Sequence, residues 1–161
     1  MNTLILFTSH HGTTKKLANQ LAIDLEVDTD FVLDFKQNKK IDLSGFDLII
    51  IGSSIHMGSI PSDFKKFLLE NLKLLLTKKI AIFMCGMEKG ESLTLEFQNN
   101  FPNELRNHSI ANALLGGEFL FEKMSFLEKL IIKKISGLAE SKSEIDYDAY
   151  YDFVEKLKFT A

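Results

Sequence analysis

The sequence predicts an α/β protein in which a doubly wound parallel sheet has helices on both faces, a three-layer sandwich. Short apolar runs that suit buried strands alternate with longer segments whose apolar residues recur at helical spacing. The clearest run, residues 47–51, ends in Leu-Ile-Ile-Ile, as expected of a central strand that is buried on both faces. This alternation of strands and helices favours a parallel sheet.

The individual elements follow from the same patterns. Five strands are predicted: one from residue 3, then residues 31–35, 47–51 and 80–84, and one within residues 110–121. Helices are predicted at residues 13–25, 62–75 and 93–101, along an apolar stripe at 124–135, and from 146 or 147 to 159. Residues 141–144 are polar and predict a linker. No domain boundary is visible, so residues 1–161 are expected to form a single domain.

Composition narrows the class of protein. The chain has 161 residues and 45% hydrophobic content, enough for a real core. Its net charge of −3 argues against a nucleic-acid binder. The single cysteine excludes an internal disulfide. No apolar run approaches a membrane span and no signal peptide is visible, so a cytoplasmic protein is expected, with peripheral membrane contact left open.

The first strand leads into a hydroxyl-rich turn and then a helix, an order that presents backbone N–H groups to an anion. The turn has one glycine, so it is neither a dinucleotide-binding G-x-G-x-x-G loop nor a P-loop. Hydroxyl groups without a fixed Lys or Arg suit a phosphate monoester, and an ordinary N-capped turn is the alternative. The candidate phosphate-binding residues are Ser9, His10, His11, Gly12, Thr13 and Thr14.

Two later strands also end in small, polar or glycine-containing loops. If the strand order is 2-1-3-4-5, strands 1, 3 and 4 are neighbours. Their three loops then form one rim at the carboxyl ends of the strands, where such sheets bind ligands. The first loop would hold a phosphate and the other two could flank a flat ring system. The candidate residues in these two loops are Ser53, Ser54, Ile55, His56, Met57, Gly58, Cys85, Gly86 and Met87.

Two of these loops resemble those of flavodoxins. Residues 4–14, LILFTSHHGTT, are similar to the flavodoxin phosphate loop, and residues 47–58, DLIIIGSSIHMG, to the loop beside the isoalloxazine ring. The resemblance implies a flavodoxin-like fold with sheet order 2-1-3-4-5 and noncovalently bound FMN. It also implies that Gly58 or a neighbouring peptide reorients when the flavin is reduced.

The C-terminal part of the chain is similar to one branch of the flavodoxin-like family, which includes the menaquinone-dependent protoporphyrinogen dehydrogenases. The similar segments are GGEF at residues 116–119 and FLEKLIIKKI at residues 126–135. This resemblance implies a porphyrinogen substrate, a quinone acceptor and a role in heme biosynthesis. The segment at residues 88–108 departs from this resemblance. It is short and contains a single arginine, whereas those enzymes carry a long basic insertion in this region. The chain also lacks the Trp with which many flavodoxins stack on the ring.

Several functions stay open at this point. The chain could carry electrons between proteins, act as an FMN-dependent oxidoreductase, or be a flavodoxin-shaped binding module without a redox role. A phosphorylated signalling receiver is excluded because no Asp ends the third strand. Among single residues, Cys85 is expected to be a core residue rather than a redox group. His56 is a weak candidate for a catalytic acid, and at least one of His10 and His11 is expected to be merely solvated.

Two expectations concern the surface. The stripe at residues 124–135 is expected to pack on the sheet, with the alternative that its lysines and apolar residues face a membrane that holds the quinone. No grouping of His, Cys, Asp and Glu along the chain has the spacing of a metal site, so no metal is expected.

Overall fold

A five-stranded parallel sheet forms the centre of the computed structural model, which describes residues 1–160. Its strands are β1 (Thr3–Thr8), β2 (Val32–Asp34), β3 (Leu48–Ser54), β4 (Lys79–Cys85) and β5 (Ala111–Leu114). The order is β2-β1-β3-β4-β5, and every neighbouring pair is parallel. The predicted fold class and strand order are therefore confirmed.

Helices cover both faces because successive strand residues point to opposite sides. They are α1 (Thr13–Asp24), α2 (Ser62–Glu70), α3 (Leu72–Leu75), α4 (Gly90–Asn100), α5 (Asn103–His108), α6 (Phe126–Ser136) and α7 (Tyr147–Thr160). Ile5 and Phe7 join the core beneath α1 and α7. Leu4 and Leu6 join the opposite core, beneath α2 to α5. The result is a three-layer sandwich with a core on each face.

The single helix predicted at residues 62–75 is wrong, because the structure divides it at Asn71. Asn71 has φ −99° and ψ 7°, outside helical geometry, and its side-chain amide donates to the Phe67 carbonyl at 2.9 Å. Short polar side chains compete for backbone groups in this way and interrupt helices.

The last predicted strand is also divided. The chain turns at Gly116, where φ is +67°, and continues as β6 (Gly116–Phe119), which pairs antiparallel with β7 (Lys142–Ile145). The polar linker predicted at residues 141–144 is thus mostly strand. The Gly116 carbonyl accepts from the Gly86 N–H at 2.9 Å, so this small sheet supports the loop after β4.

The expectation that residues 124–135 pack on the sheet is wrong. None of the residues of α6 is buried, and Phe126 and Ile135 are 75% and 79% exposed. The helix is instead stabilised at its ends. A capping box of Ser125 and Glu128 closes the N-terminus, and Gly137, in the left-handed conformation, ends the helix. No helix among residues 1–160 combines the length and apolarity that crossing a bilayer requires.

Candidate functional site

The loops after β1, β3 and β4 meet at the carboxyl edge of the sheet. Strand register places Thr8 beside Ser53, and Ser54 beside Cys85. The Ile55 N–H donates to the Cys85 carbonyl at 2.8 Å, and the His10 N–H donates to Ser54 Oγ at 3.1 Å. The continuous rim expected from the strand order is therefore present.

The first loop leaves donors free for an anion. Gly12, with φ +103°, precedes α1, and no side chain caps the first turn of that helix. N–H groups at such an end lack helical partners and carry the positive end of the helix dipole. The Gly12 N–H donates to Ser9 Oγ at 3.0 Å, so the Ser9 hydroxyl proton stays free to donate to a ligand.

The two threonines of this loop differ. Thr14 is fully buried, and within residues 1–160 its hydroxyl has no hydrogen-bond partner besides a weak contact with the Cys85 thiol. Thr13 instead donates to Glu118 Oε2 at 3.0 Å. Its hydroxyl therefore donates to β6, and the phosphate contact expected of Thr13 stays a prediction.

Two lysines that the motif does not contain reach the loop. The Lys36 ammonium donates to the Ser9 carbonyl. Lys123 Nζ lies 2.9 Å from the position that a Cβ on Gly12 would occupy. The lysines therefore bring cationic groups to a loop whose own residues indicate a neutral hydroxyl site. Both lysines come from distant parts of the chain, so loop spacing could not reveal them.

The second loop is a tight turn in a strained conformation. His56 and Ser59 exchange backbone hydrogen bonds at 3.0 and 3.2 Å, and the residues between them, Met57 and Gly58, have φ of 51° and 76°. Left-handed geometry is uncommon for methionine, and Met57 is 85% exposed. The Gly58 carbonyl accepts from the buried Asn100 side chain at 3.0 Å, which holds the turn on α4.

A cavity of about 400 Å³ opens between the loops and α6. Twelve predicted site residues line it: Ser9, His10, His11, Thr13, Ser54, Ile55, His56, Met57, Gly58, Cys85, Gly86 and Met87. Ser53 is fully buried, and Gly12 and Thr14 lie at the start of α1 outside the lining. The lining residues that sequence reasoning missed include Glu96, Gly117, Glu118, Phe119, Met124, Glu128, Ile131, Ile132 and Ile135.

Comparison with known proteins agrees with this architecture. The family model described as "Flavodoxin domain" matches residues 4–146, most of the chain. This chain belongs to the flavodoxin domain family. The protoporphyrinogen IX dehydrogenase [quinone] of Escherichia coli strain K12 is 24% identical over 159 residues, covering 91% of this chain and 87% of that protein. The protein of the same name from Leishmania major is 23% identical, covering 89% and 68%.

Solved flavodoxins share the fold. Oxidised Flavodoxin 1 from Bacillus cereus superposes with a TM-score of 0.57 at 19% identity, covering 98% of this chain and 96% of that one. The Streptococcus pneumoniae TIGR4 flavodoxin gives a TM-score of 0.56 at 15% identity, covering 99% of each chain. At such low identity the similarity concerns the fold alone.

In this flavodoxin domain, Glu96 places a carboxyl group between the second and third loops. Its Oε2 is buried and has no hydrogen-bond partner in residues 1–160. It lies 3.6 Å from the position of a Cβ on Gly86, and Oε1 lies 3.9 Å from that on Gly58. Burial, together with the charge of Glu88, raises the pKa of Glu96. Burial without a hydrogen-bond partner therefore favours the protonated form of Glu96 more than that of an ordinary surface glutamate.

Glu118 and Cys85 have structural roles at the edge of the cavity. Burial raises the pKa of Glu118, but hydrogen bonds from Lys16 and Thr13 outweigh it and lower the pKa below its usual value. Glu118 is thus ionised, and its hydrogen bonds link α1 to β6. Burial raises the pKa of the Cys85 thiol to about 12, so it is protonated at neutral pH and unsuited to nucleophilic chemistry.

Three histidines gather at the cavity mouth. The His10 and His56 rings stack with centroids 3.9 Å apart, and His11 meets His10 edge-on. Burial, then the proximity of His10, lowers the pKa of His11 and of His56. Glu128, from the first turn of α6, lies among them, and the Ser125 N–H lowers its pKa to about 2. Glu128 is 118 positions from His10, so no local pattern could link them.

Removing the charge of Glu96 should stabilise the protein at neutral pH. A folded-state pKa above the unfolded value means that ionisation of Glu96 opposes folding, and that this cost disappears below the unfolded pKa of about 4.3. Glu96→Gln should raise the free energy of unfolding by about 1 kcal/mol at pH 7, with the gain lost near pH 4. Urea unfolding at both pH values measures this. Glu155→Gln, on exposed α7 surface, is the control; an equal gain at both pH values would contradict the assignment.

Proposed function

We propose that this flavodoxin domain binds FMN noncovalently and acts as a redox protein. The observation that carries the proposal is the first loop, where the uncapped start of α1, the free Ser9 hydroxyl proton and two lysines lie at one turn. FMN ends in a phosphate monoester, which fits that donor set. When bound, FMN supplies the electron-transfer chemistry, and the protein supplies binding and orientation.

The cavity beside the loop would take the ring system. Ile55, Gly86 and Met87, which follow the ends of β3 and β4, line it. Tyr150 is buried in the α7 core, and none of the three tyrosines lines the cavity, so any aromatic contact must come from the histidines or Phe119. Glu96 is the carboxyl group placed to exchange a proton with a bound ring.

The test is flavin binding with and without the phosphate. Purified protein should retain the absorption bands of oxidised flavin through gel filtration, or acquire them when FMN is added. Riboflavin, which has the same ring without the phosphate, should bind at least about 10-fold more weakly, since charge-assisted hydrogen bonds to phosphate contribute about 1.5–3 kcal/mol each. Failure to bind FMN at micromolar concentration would overturn the proposal and favour a binding module without a redox role.

A second candidate is quinone-dependent protoporphyrinogen IX dehydrogenation, the activity named for the relatives in Escherichia coli and Leishmania major. The observation that favours it is α6, which adds Ile131, Ile132 and Ile135 to the cavity wall and so gives an apolar substrate a surface to contact. Oxidation of protoporphyrinogen by FMN-loaded protein with a menaquinone analogue tests it. Flavin reduction only by a partner protein would instead indicate an electron carrier.

The outer side of α6 supports peripheral membrane contact. Phe126 and Leu127 are 75% and 70% exposed and do not line the cavity, and the lysines of α6 also lie outside the lining. Helices of this kind bind anionic lipid surfaces through apolar and basic groups together. Substituting both Phe126 and Leu127 with Ser should weaken cosedimentation with anionic vesicles at least about 10-fold. Phe159→Ser, at a 91% exposed position of α7, should have no effect; equal losses would contradict the assignment.

A further inference from the structure

Four side chains from three separate segments direct one ligand atom each into a common space at the cavity mouth. His10 and His11 come from the loop after β1, His56 from the loop after β3, and Glu128 from the first turn of α6. All four ligand atoms lie within 4.8 Å of one another. Glu128 Oε1 is 3.1 Å from His10 Nε2, 3.2 Å from His11 Nε2 and 3.9 Å from His56 Nε2.

The distances from Glu128 to His10 and His11 are close to the edge of a metal coordination tetrahedron, and the distance to His56 is longer. Bonds of about 2.0–2.1 Å to zinc place neighbouring ligand atoms about 3.3 Å apart. Imidazole nitrogen and carboxylate oxygen are ligands that zinc and its first-row neighbours accept. We propose that His10, His11, His56 and Glu128 form a binding site for a divalent transition-metal ion, with zinc the ion that four such ligands fit best.

The surroundings orient the ligands. Glu128 Oε2 accepts from the Ser125 N–H at 2.7 Å, which turns Oε1 toward the histidines. The His10 N–H donates to Ser54 Oγ, so the two histidine-bearing loops are tied together. Contacts of this kind hold ligands in place in metal sites. His10 and His56 have side chains 41% exposed, so an ion can enter from solvent.

A hydrogen-bonded cluster without metal is the alternative. One carboxylate oxygen can accept from two imidazole N–H groups, and this explains the contacts to His10 and His11. In that arrangement His56 only stacks on His10 and makes no hydrogen bond to Glu128, since its Nε2 is 3.9 Å from Oε1. A central ion engages all four groups. It also joins α6, which has no buried residue of its own, to the two loops.

Isothermal titration of zinc into chelator-treated full-length protein, without added flavin, tests the proposal. One ion should bind per chain. Glu128→Gln should weaken binding at least about 10–100-fold, because loss of even an outer-shell partner has an effect of that size. Glutamine at this position still completes the capping box, so α6 keeps its N-terminal cap. His56→Ala removes a ligand without touching α6 and should have an effect of similar size.

The chain supplies a matched control in His108, the one histidine outside the cluster, whose Nε2 contacts the Lys78 carbonyl at 2.8 Å. His108→Ala should leave zinc stoichiometry and affinity unchanged. A second readout is hydrogen exchange: zinc should slow exchange in α6 of the wild type but not of Glu128→Gln. Absence of binding at micromolar zinc, or equal affinity in wild type, Glu128→Gln and His56→Ala, would overturn the proposal. Because no flavin is present, this outcome is independent of whether the protein binds FMN.

Discussion

Reversing the charge at Lys123 should weaken FMN binding about 30-fold. Loss of the cation beside Gly12 and introduction of an anion there should each cost about 1 kcal/mol after solvent screening. The effect depends on the phosphate, so riboflavin affinity should stay within about 2-fold of wild type. Quenching of flavin fluorescence during titration measures both ligands for Lys123→Glu.

The control for this variant is Lys73→Glu on α3, which is exposed and does not line the cavity. It makes the same change in net charge and should leave both affinities unchanged. High salt should reduce the difference between wild type and Lys123→Glu, since the interaction is partly exposed. Equal losses of FMN and riboflavin affinity would show that Lys123 supports the fold of the cavity rather than the phosphate.

Replacing Gly116 with Ala should lower the free energy of unfolding by at least about 3 kcal/mol. The residue has φ +67°, which costs an alanine about 1–2 kcal/mol. Its Cβ would also lie 2.0 Å from the Glu144 carbonyl oxygen, too close for any atom, so β6 and β7 would have to separate. Urea unfolding measures the loss.

Gly137→Ala separates the cost of the positive φ from the cost of the steric clash. Gly137 has φ +72°, but apart from Gly137 itself and its two chain neighbours no heavy atom within residues 1–160 lies within 4 Å of its Cβ position. The variant should therefore cost only the conformational strain, about 1 kcal/mol. If the two variants were equally destabilised, the close approach of β6 and β7 would not be the cause.

Local sequence patterns predicted the parts of the fold that depend on local rules. Leu4 to Phe7 and Leu48 to Ile51 are strands because apolar residues at successive positions fill cores on both faces of the sheet. The first loop was recognisable because a glycine and hydroxyl residues between a strand and a helix are typical of anion-binding turns. The apolar stripe at residues 124–135 led to a wrong prediction of packing on the sheet. Helical periodicity shows that an apolar face exists but not what that face contacts.

The sequence alone determined the class of fold, the strand order implied by the flavodoxin resemblance, and twelve residues that line the cavity. Tertiary structure decided what surrounds them. Lys36 and Lys123 reach the first loop, Glu96 enters between the other two, and Glu128 joins three histidines. These contacts span long distances along the chain. They depend on how loops and α6 cross the sheet edge, which residue spacing does not encode.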